Sequence, residues 1–388
     1  MKTLILFSIF FLSVNSHAEQ LGDLNFKLNA SGRVRGEGSD NKDFTNTIED
    51  KNNFIGSRFR ISLDVQNKKT SSVFINIDHT GTWGANSGVT RDGNATIHQA
   101  YLKHNFNDSI QLKLGRQEFL YGDELLVGPL GWSNVGRSFD AFKTTWTHKL
   151  GWVDLFVADV SKTSNGVTTN DHYFSGVYSH FNLQSIDNLE FYIFNTQDPA
   201  NSTEERAVHY GTRLKSKAGL FDYRFEATGQ SVVEGNQADL ELGYSFSNNK
   251  PTRLSLEVFT SSKDFIQLFP TAHKWLGTGD FLSRRNISGL RVGTSHFFFE
   301  NIKAKVDYHM FQRTEADLPA YNFPGAAIGN VGSNKNIGSE LDLNVNVPID
   351  EVFSITFGGA RFFVGDYLKD NNLTSDGSFF YLQTYIKL

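Results

Sequence analysis

Near its C-terminal end the chain reads Phe380-Tyr381-Leu382-Gln383-Thr384-Tyr385-Ile386-Lys387-Leu388. Successive side chains on a β-strand point to opposite faces, so Phe380, Leu382, Thr384, Ile386 and Leu388 share one surface. Tyr381, Gln383, Tyr385 and Lys387 share the other. A soluble sheet turns its apolar face inward, whereas a membrane barrel turns it toward lipid and keeps the polar face for its lumen. Choosing between these decides the fold.

The other end of the chain argues for the membrane. Met1-Lys2 is a short basic start, Leu4 to Val14 is apolar apart from two serines, and Ser16-His17-Ala18 offers small residues for a signal peptidase. This pattern predicts a secretory signal over residues 1–18, leaving 19–388 as one outer-membrane barrel domain. The absence of cysteine excludes a lipoprotein leader, disulfides and thiol nucleophiles. With 37 Lys and Arg against 42 Asp and Glu, the net charge of −5 argues against nucleic acid as a partner. The 34 Gly, 35 Phe and 13 Tyr suit turns, strands and the aromatic belts of a barrel. After the leader no apolar stretch approaches the roughly 20 residues of a spanning helix, so a crossing must use strands.

Eighteen alternating runs can be placed, beginning near Leu24 and Phe54 and ending near Val352 and Phe380. The even number and the spacing of about 20 residues per strand and connection fit an antiparallel transmembrane β-barrel. Residues 66–69, 107–108 and 299–301 read as tight turns. The polar stretches 38–53, 262–286, 314–336 and 365–378 read as loops of the opposite rim.

The polar faces hold the candidate site. Gly32-Arg33-Val34-Arg35 places two arginines on one face, and Arg58, Arg60, Ser62 and Asp64 repeat the arrangement opposite Phe59, Ile61, Leu63 and Val65. Lys303, Lys305, Asp307 and His309 share a face, as do Glu340, Asp342 and Asn344; Arg291 and Arg361 are added on the same grounds. A charge at the lipid midplane costs about 2–4 kcal/mol, so all of these should face the lumen. Cationic positions held by neighbouring carboxylates would suit an anionic solute.

Three longer stretches carry a family likeness. The first is Gly115-Arg116-Gln117-Glu118-Phe119-Leu120-Tyr121-Gly122-Asp123-Glu124, followed by Asn134-Val135-Gly136-Arg137-Ser138-Phe139-Asp140. The second runs from Phe269-Pro270-Thr271-Ala272-His273-Lys274-Trp275-Leu276-Gly277 to Arg284-Arg285-Asn286-Ile287. The third is Ile337-Gly338-Ser339-Glu340-Leu341-Asp342-Leu343 with Phe362-Phe363-Val364-Gly365-Asp366-Tyr367-Leu368-Lys369 beyond it. Together they resemble the alginate export family of outer-membrane barrels. The resemblance implies an eighteen-stranded barrel in a Gram-negative outer membrane, passing an acidic polysaccharide through a constriction lined by arginine and lysine. It implies that Arg116 and Arg137, with Asp140, lie at or near the narrow part. Export would bring periplasmic components as partners, beside outer-membrane lipid and the anionic carbohydrate.

Other classes fit less well. No G-x-S-x-G motif occurs, and Gly136-Arg137-Ser138 has Asp140 where the second glycine should stand, so an enzyme is not expected. Of the eleven histidines only the pairs His98/His104, His172/His180 and His296/His309 are close in sequence, and none of these pairs has ligand spacing with a carboxylate on one face; neither metal nor cofactor is expected. Trp132 and Trp275, within or beside the motif blocks, are candidate sugar platforms, while Trp83, Trp146 and Trp152 read as girdle or loop aromatics. A general porin for uptake of small solutes is the alternative function, and a barrel-borne surface enzyme a more distant one.

Overall fold

A computed structural model describes residues 19–388 except 47–49, 68–69, 85–94, 161–171, 185, 198–206, 232–233, 248–251, 300 and 324. The leader assigned to 1–18 therefore lies outside the described residues. Alternation along the chain resolves into eighteen antiparallel barrel strands. They are β1 Leu24–Asp40, β2 Asn52–Asn67, β3 Ser71–Thr82, β4 Ala95–Asn105, β5 Ile110–Gln117 and β6 Phe139–His148. Next come β7 Gly151–Val160, β8 His172–Leu183, β9 Ile186–Gln197, β10 Ala207–Ala218, β11 Phe221–Ser231 and β12 Gly235–Ser245. The last are β13 Arg253–Ser261, β14 Ile287–Phe298, β15 Ile302–Gln312, β16 Asn336–Pro348, β17 Phe353–Val364 and β18 Gly377–Lys387. A three-residue segment, Glu19–Leu21, folds back onto β1.

Each strand pairs with its sequence neighbours, and β18 closes on β1 from Ser31↔Lys387 to Asp40↔Ser378. Closure removes sheet edges, which hydrocarbon could not hydrate. The apolar faces stand outward: Phe59, Ile61 and Leu63 on β2, Leu254, Leu256 and Val258 on β13, and Phe380, Leu382 and Ile386 on β18 are all well exposed. In water such a surface would aggregate; against lipid it is matched.

Connections alternate in length. One rim carries tight turns such as 149–150 and 219–220 together with the start of β1 and the end of β18, while the turn expected at 299–301 includes a residue outside the described ones. The other carries the long loops. The expectation of a rim loop fails for 262–286, which turns into the barrel together with the connection 118–138. They join by a parallel bridge, Val127↔Phe269, and by backbone bonds from Gly128 N to Phe269 O (2.8 Å) and Phe269 N to Leu126 O (2.7 Å).

The reason lies in the lumen itself, which is not polar throughout. On one side Phe139, Phe156, Phe174, Tyr178, Tyr192 and Phe194 point inward and cover Phe119, Tyr121, Leu126 and Val127 of the first loop and Phe265 of the second. On the other, Phe259, Phe311 and Phe362 cover Trp275, Leu276, Phe281 and Leu282 of the second loop, with Phe44 and Tyr367. Burying such side chains yields roughly 1.5–3 kcal/mol each relative to exposure, enough to draw both loops off the rim.

Candidate functional site

The inward loops lie between two charged walls of different construction. On the β1–β2 wall, alternation brings Arg33, Arg35, Arg58 and Arg60 to the lumen. Arg33 donates to Gly131 O (2.9 Å), Ser133 O (2.8 Å) and Asn134 Oδ1 (2.9 Å). Arg35 donates to Trp132 O (2.8 Å) and to Glu37 (2.6 Å). Arg58 donates to Ser133 O (3.0 Å). Thus three guanidiniums grip one loop segment mainly through its backbone carbonyls. Arg60 differs, pairing with Asp78 at 2.6 Å and lying 3.7 Å from Glu118. Among the described residues neither Arg33 nor Arg58 forms an ion pair with a carboxylate.

Aromatic contacts extend this wall across the lumen. The Arg35 guanidinium lies 3.8 Å from the centre of the Trp132 ring, and Trp132 stacks on His273 of the second loop at 3.7 Å. His273 in turn bonds Asp280 at 2.8 Å. Arg137, from the motif block, donates to Gly128 O and Pro270 O (3.2 Å each) and so ties the two loops together. Burial pulls its guanidinium down to about 10, which still leaves it charged at neutral pH.

On the far wall, bases and acids alternate. Arg213 bridges Glu190 (2.6 Å) and Asp123 (2.5 Å), and Arg224 and Arg284 share Asp239 at 2.5 Å each. Arg291 bridges Glu257 (2.6 Å) and Asp307 (2.8 Å), and Lys305 also reaches Asp307 (2.6 Å). Farther along, buried Glu340 and Asp342 accept the backbone N–H groups of Gly279 (2.8 Å) and Thr278 (3.0 Å). Gly277 makes that approach possible, because its φ of +98° and a Cβ that would strike the Glu340 carboxylate exclude other residues.

Solvent space lies on both sides of the second loop. A cavity of about 500 Å³ on the long-loop side is lined by Arg137, Trp275, Arg284 and Arg285. Another of about 660 Å³ on the short-turn side is lined by Lys215, Lys217, Lys274, Lys303 and Lys305, and again by Trp275.

Of the expected residues, Arg58, Arg60, Arg291, Lys303, Lys305, Glu340 and Asp342 project into the lumen, and Arg137 lies in the inward loop. Three do not, and here the expectation is corrected. Arg116 pairs in register with Asp140, and their neighbours Leu114 and Phe142 are exposed to the lipid side. The alternation therefore turns Arg116 and Asp140 outward, where they form a bidentate pair at 2.8–2.9 Å. Arg361 stands outward beside exposed Phe363 and opposite Leu341, 3.5 Å from Asp376. A motif says which residues occur together, not which face they take; the inward positions adjacent to Arg116 and Asp140 belong to Gln117, Phe139 and Ala141. Arg116→Ala and Arg361→Ala should consequently leave ion selectivity at the wild-type reversal potential, and each should cost about 0–1 kcal/mol. Bilayer recordings in a salt gradient check the first, urea titration the second.

Arg35, expected to face the lumen, and Trp132, a candidate sugar platform, meet at the loop junction, whereas His273 and the Arg224–Asp239–Arg284 bridge carry no such signal in the sequence. Arg33 and Arg35 show the same i, i+2 spacing as Arg58 and Arg60, so that signal was present. The Trp132–His273 stack joins two separate loops and the Arg284–Asp239 bond joins residues 45 apart, and neither leaves a local trace.

The family model for alginate export matches residues 24–381. No curated protein matches the sequence. Among solved structures, OccK8 (OprE) of Pseudomonas aeruginosa superposes with a TM-score of 0.65 at 11% identity, over 94% of this chain and 98% of that one. OccK2 (OpdF) of Pseudomonas aeruginosa, in complex with glucuronate, gives 0.64 at 10% identity over 94% and 96%. OpdK of Pseudomonas aeruginosa with vanillate gives 0.61 at 12% over 93% and 98%. At such identities the likeness shows a shared fold. With the family match it makes this chain a channel of the bacterial outer membrane, and not an enzyme.

Proposed function

The chain belongs to the alginate export family, and from that premise we propose that it is a passive channel for an anionic polysaccharide or oligosaccharide. Its cationic path runs along Arg33, Arg35 and Arg58 to Arg137. The observation that carries this reading is the bonding of Arg33 and Arg58 to backbone carbonyls. A carboxylate partner would cancel their charge; a carbonyl satisfies the N–H groups and leaves the charge in place. A sugar carboxylate can then exchange for a carbonyl at little cost in hydrogen bonds, and each contact is weak enough to release it. On the opposite wall the bases are already held by acids, so the solute should follow the β1–β2 side. The glucuronate bound to OccK2 supports a carboxylated sugar as the solute class.

A second reading also has an observation behind it. The inward loops leave cavities of about 500 and 660 Å³, which suit a small solute better than a polymer. Uptake of small anions would use the same arginines. Planar-bilayer recording separates the readings. Anion preference with block by oligouronates, weakened in an Arg33→Ala/Arg58→Ala double variant, is the result expected for the oligosaccharide channel. Block by monouronate but not by longer chains would favour small-solute uptake, and a pore indifferent to both would overturn each.

A further inference from the structure

The β15–β16 wall carries more acid than its bases can neutralise. Antiparallel register sets Asp307 opposite Asp342 and His309 opposite Glu340, and all four side chains are buried. Asp307 is balanced by Arg291 and Lys305. Asp342 has only His309, whose Nε2 lies 3.3 Å from Oδ2, and among the described residues Glu340 has no base at all. After the backbone bonds from Gly279 and Thr278, three buried atoms still lack a partner: His309 Nδ1, Asp342 Oδ1 and Glu340 Oε2. Leaving ionised carboxylates in this state is costly, and a proton or a cation is what normally removes that cost.

Geometry points to a cation. One donor atom from each of Asp307, His309 and Asp342 lies within 4.8 Å of the other two. These three also line a cavity of about 320 Å³ shared with Asn344, which gives an ion access from the lumen. Asp307 can serve while still accepting from Arg291 and Lys305, because a carboxylate offers about four lone-pair sites. One imidazole with two carboxylates is a donor set for a borderline divalent metal such as zinc, not for calcium or magnesium, which favour all-oxygen sites. We propose that His309, Asp342 and Asp307 bind one divalent transition-metal cation on the lumen wall, beside Glu340 and through Asp342, the two carboxylates that anchor the second loop. This depends on the fold alone and is independent of which solute the channel passes.

The test uses the full-length mature barrel refolded in detergent, stripped with EDTA, incubated with Zn²⁺ alone and desalted before elemental analysis. About one zinc per chain is expected, falling to background in His309→Ala and in Asp342→Asn. His104→Ala, at the short-turn rim beside Ser71, should keep full occupancy. Should His309→Ala fail to fold, the d–d absorption of Co²⁺ bound to wild type reports an ordered low-coordinate site without it. Substoichiometric zinc in the wild type, equal zinc in Asp342→Asn, or a six-coordinate aqueous cobalt spectrum would each overturn the site.

Discussion

Replacing Asp239 by alanine is expected to destabilise the barrel by about 3–5 kcal/mol, the cost of breaking a buried ion pair from one side. Asp239 is 1% exposed and accepts from Arg224 on β11 and from Arg284 on the second inward loop, both at 2.5 Å. Arg284 is itself buried and also donates to Gln237 Oε1, at 2.9 Å. Without the carboxylate, two guanidiniums remain in a desolvated pocket with one negative partner fewer. The root of loop 262–286 should then leave the wall. Equilibrium urea titration in lipid vesicles would show the loss as an earlier midpoint with little change in slope. Asp239→Asn, which keeps the shape and one acceptor oxygen, should recover only part of it. An alanine variant as stable as wild type would mean that the arginines re-pair with Glu257 and Glu241, 3.4 and 3.7 Å from Arg224.

Removing the Trp132 ring should loosen the meeting of the two loops and raise conductance. The ring sits between the Arg35 guanidinium and the His273 imidazole, and meets Tyr381 edge-on at 4.9 Å. A desolvated cation–π contact contributes about 2 kcal/mol, so its loss should shift the closed-to-open ratio of the loop roughly thirty-fold toward open. Trp132→Ala should show larger and longer single-channel openings at unchanged anion preference, since Arg33 and Arg58 keep their positions. Trp132→Phe, retaining an aromatic face, should lie between. Unchanged conductance would place the narrowest point elsewhere along the lumen.

Much of this was legible in the residues. The period of two along Phe380–Leu388, and again in Phe59, Ile61 and Leu63, specified strands with a lipid face, and turn signals between them yielded the eighteen-strand order. Arg58 and Arg60 pointed inward because their neighbours could not. Arg361, expected inward from alternation, and Arg116 and Asp140, expected at the narrow part from the family likeness, point outward instead. These residues lie near the long-loop ends of their strands, where an outward charge no longer faces the lipid midplane and its cost falls toward zero. There, hydrophobic patterning stops constraining which way a charge points.

By itself, then, the sequence determined the class, a strand number of eighteen to within one strand pair, and the existence of two arginine pairs on neighbouring strands, because each follows from side chains a few residues apart on a periodic backbone. Tertiary structure decided what those arginines hold. Arg33 meets Gly131 across 98 residues, Arg284 meets Asp239 across 45, and His309 meets Asp342 only because β15 and β16 pair in one register. Inward aromatics drew two loops into the lumen, and that packing, with no signature in local periodicity, turned charged strand faces into a site.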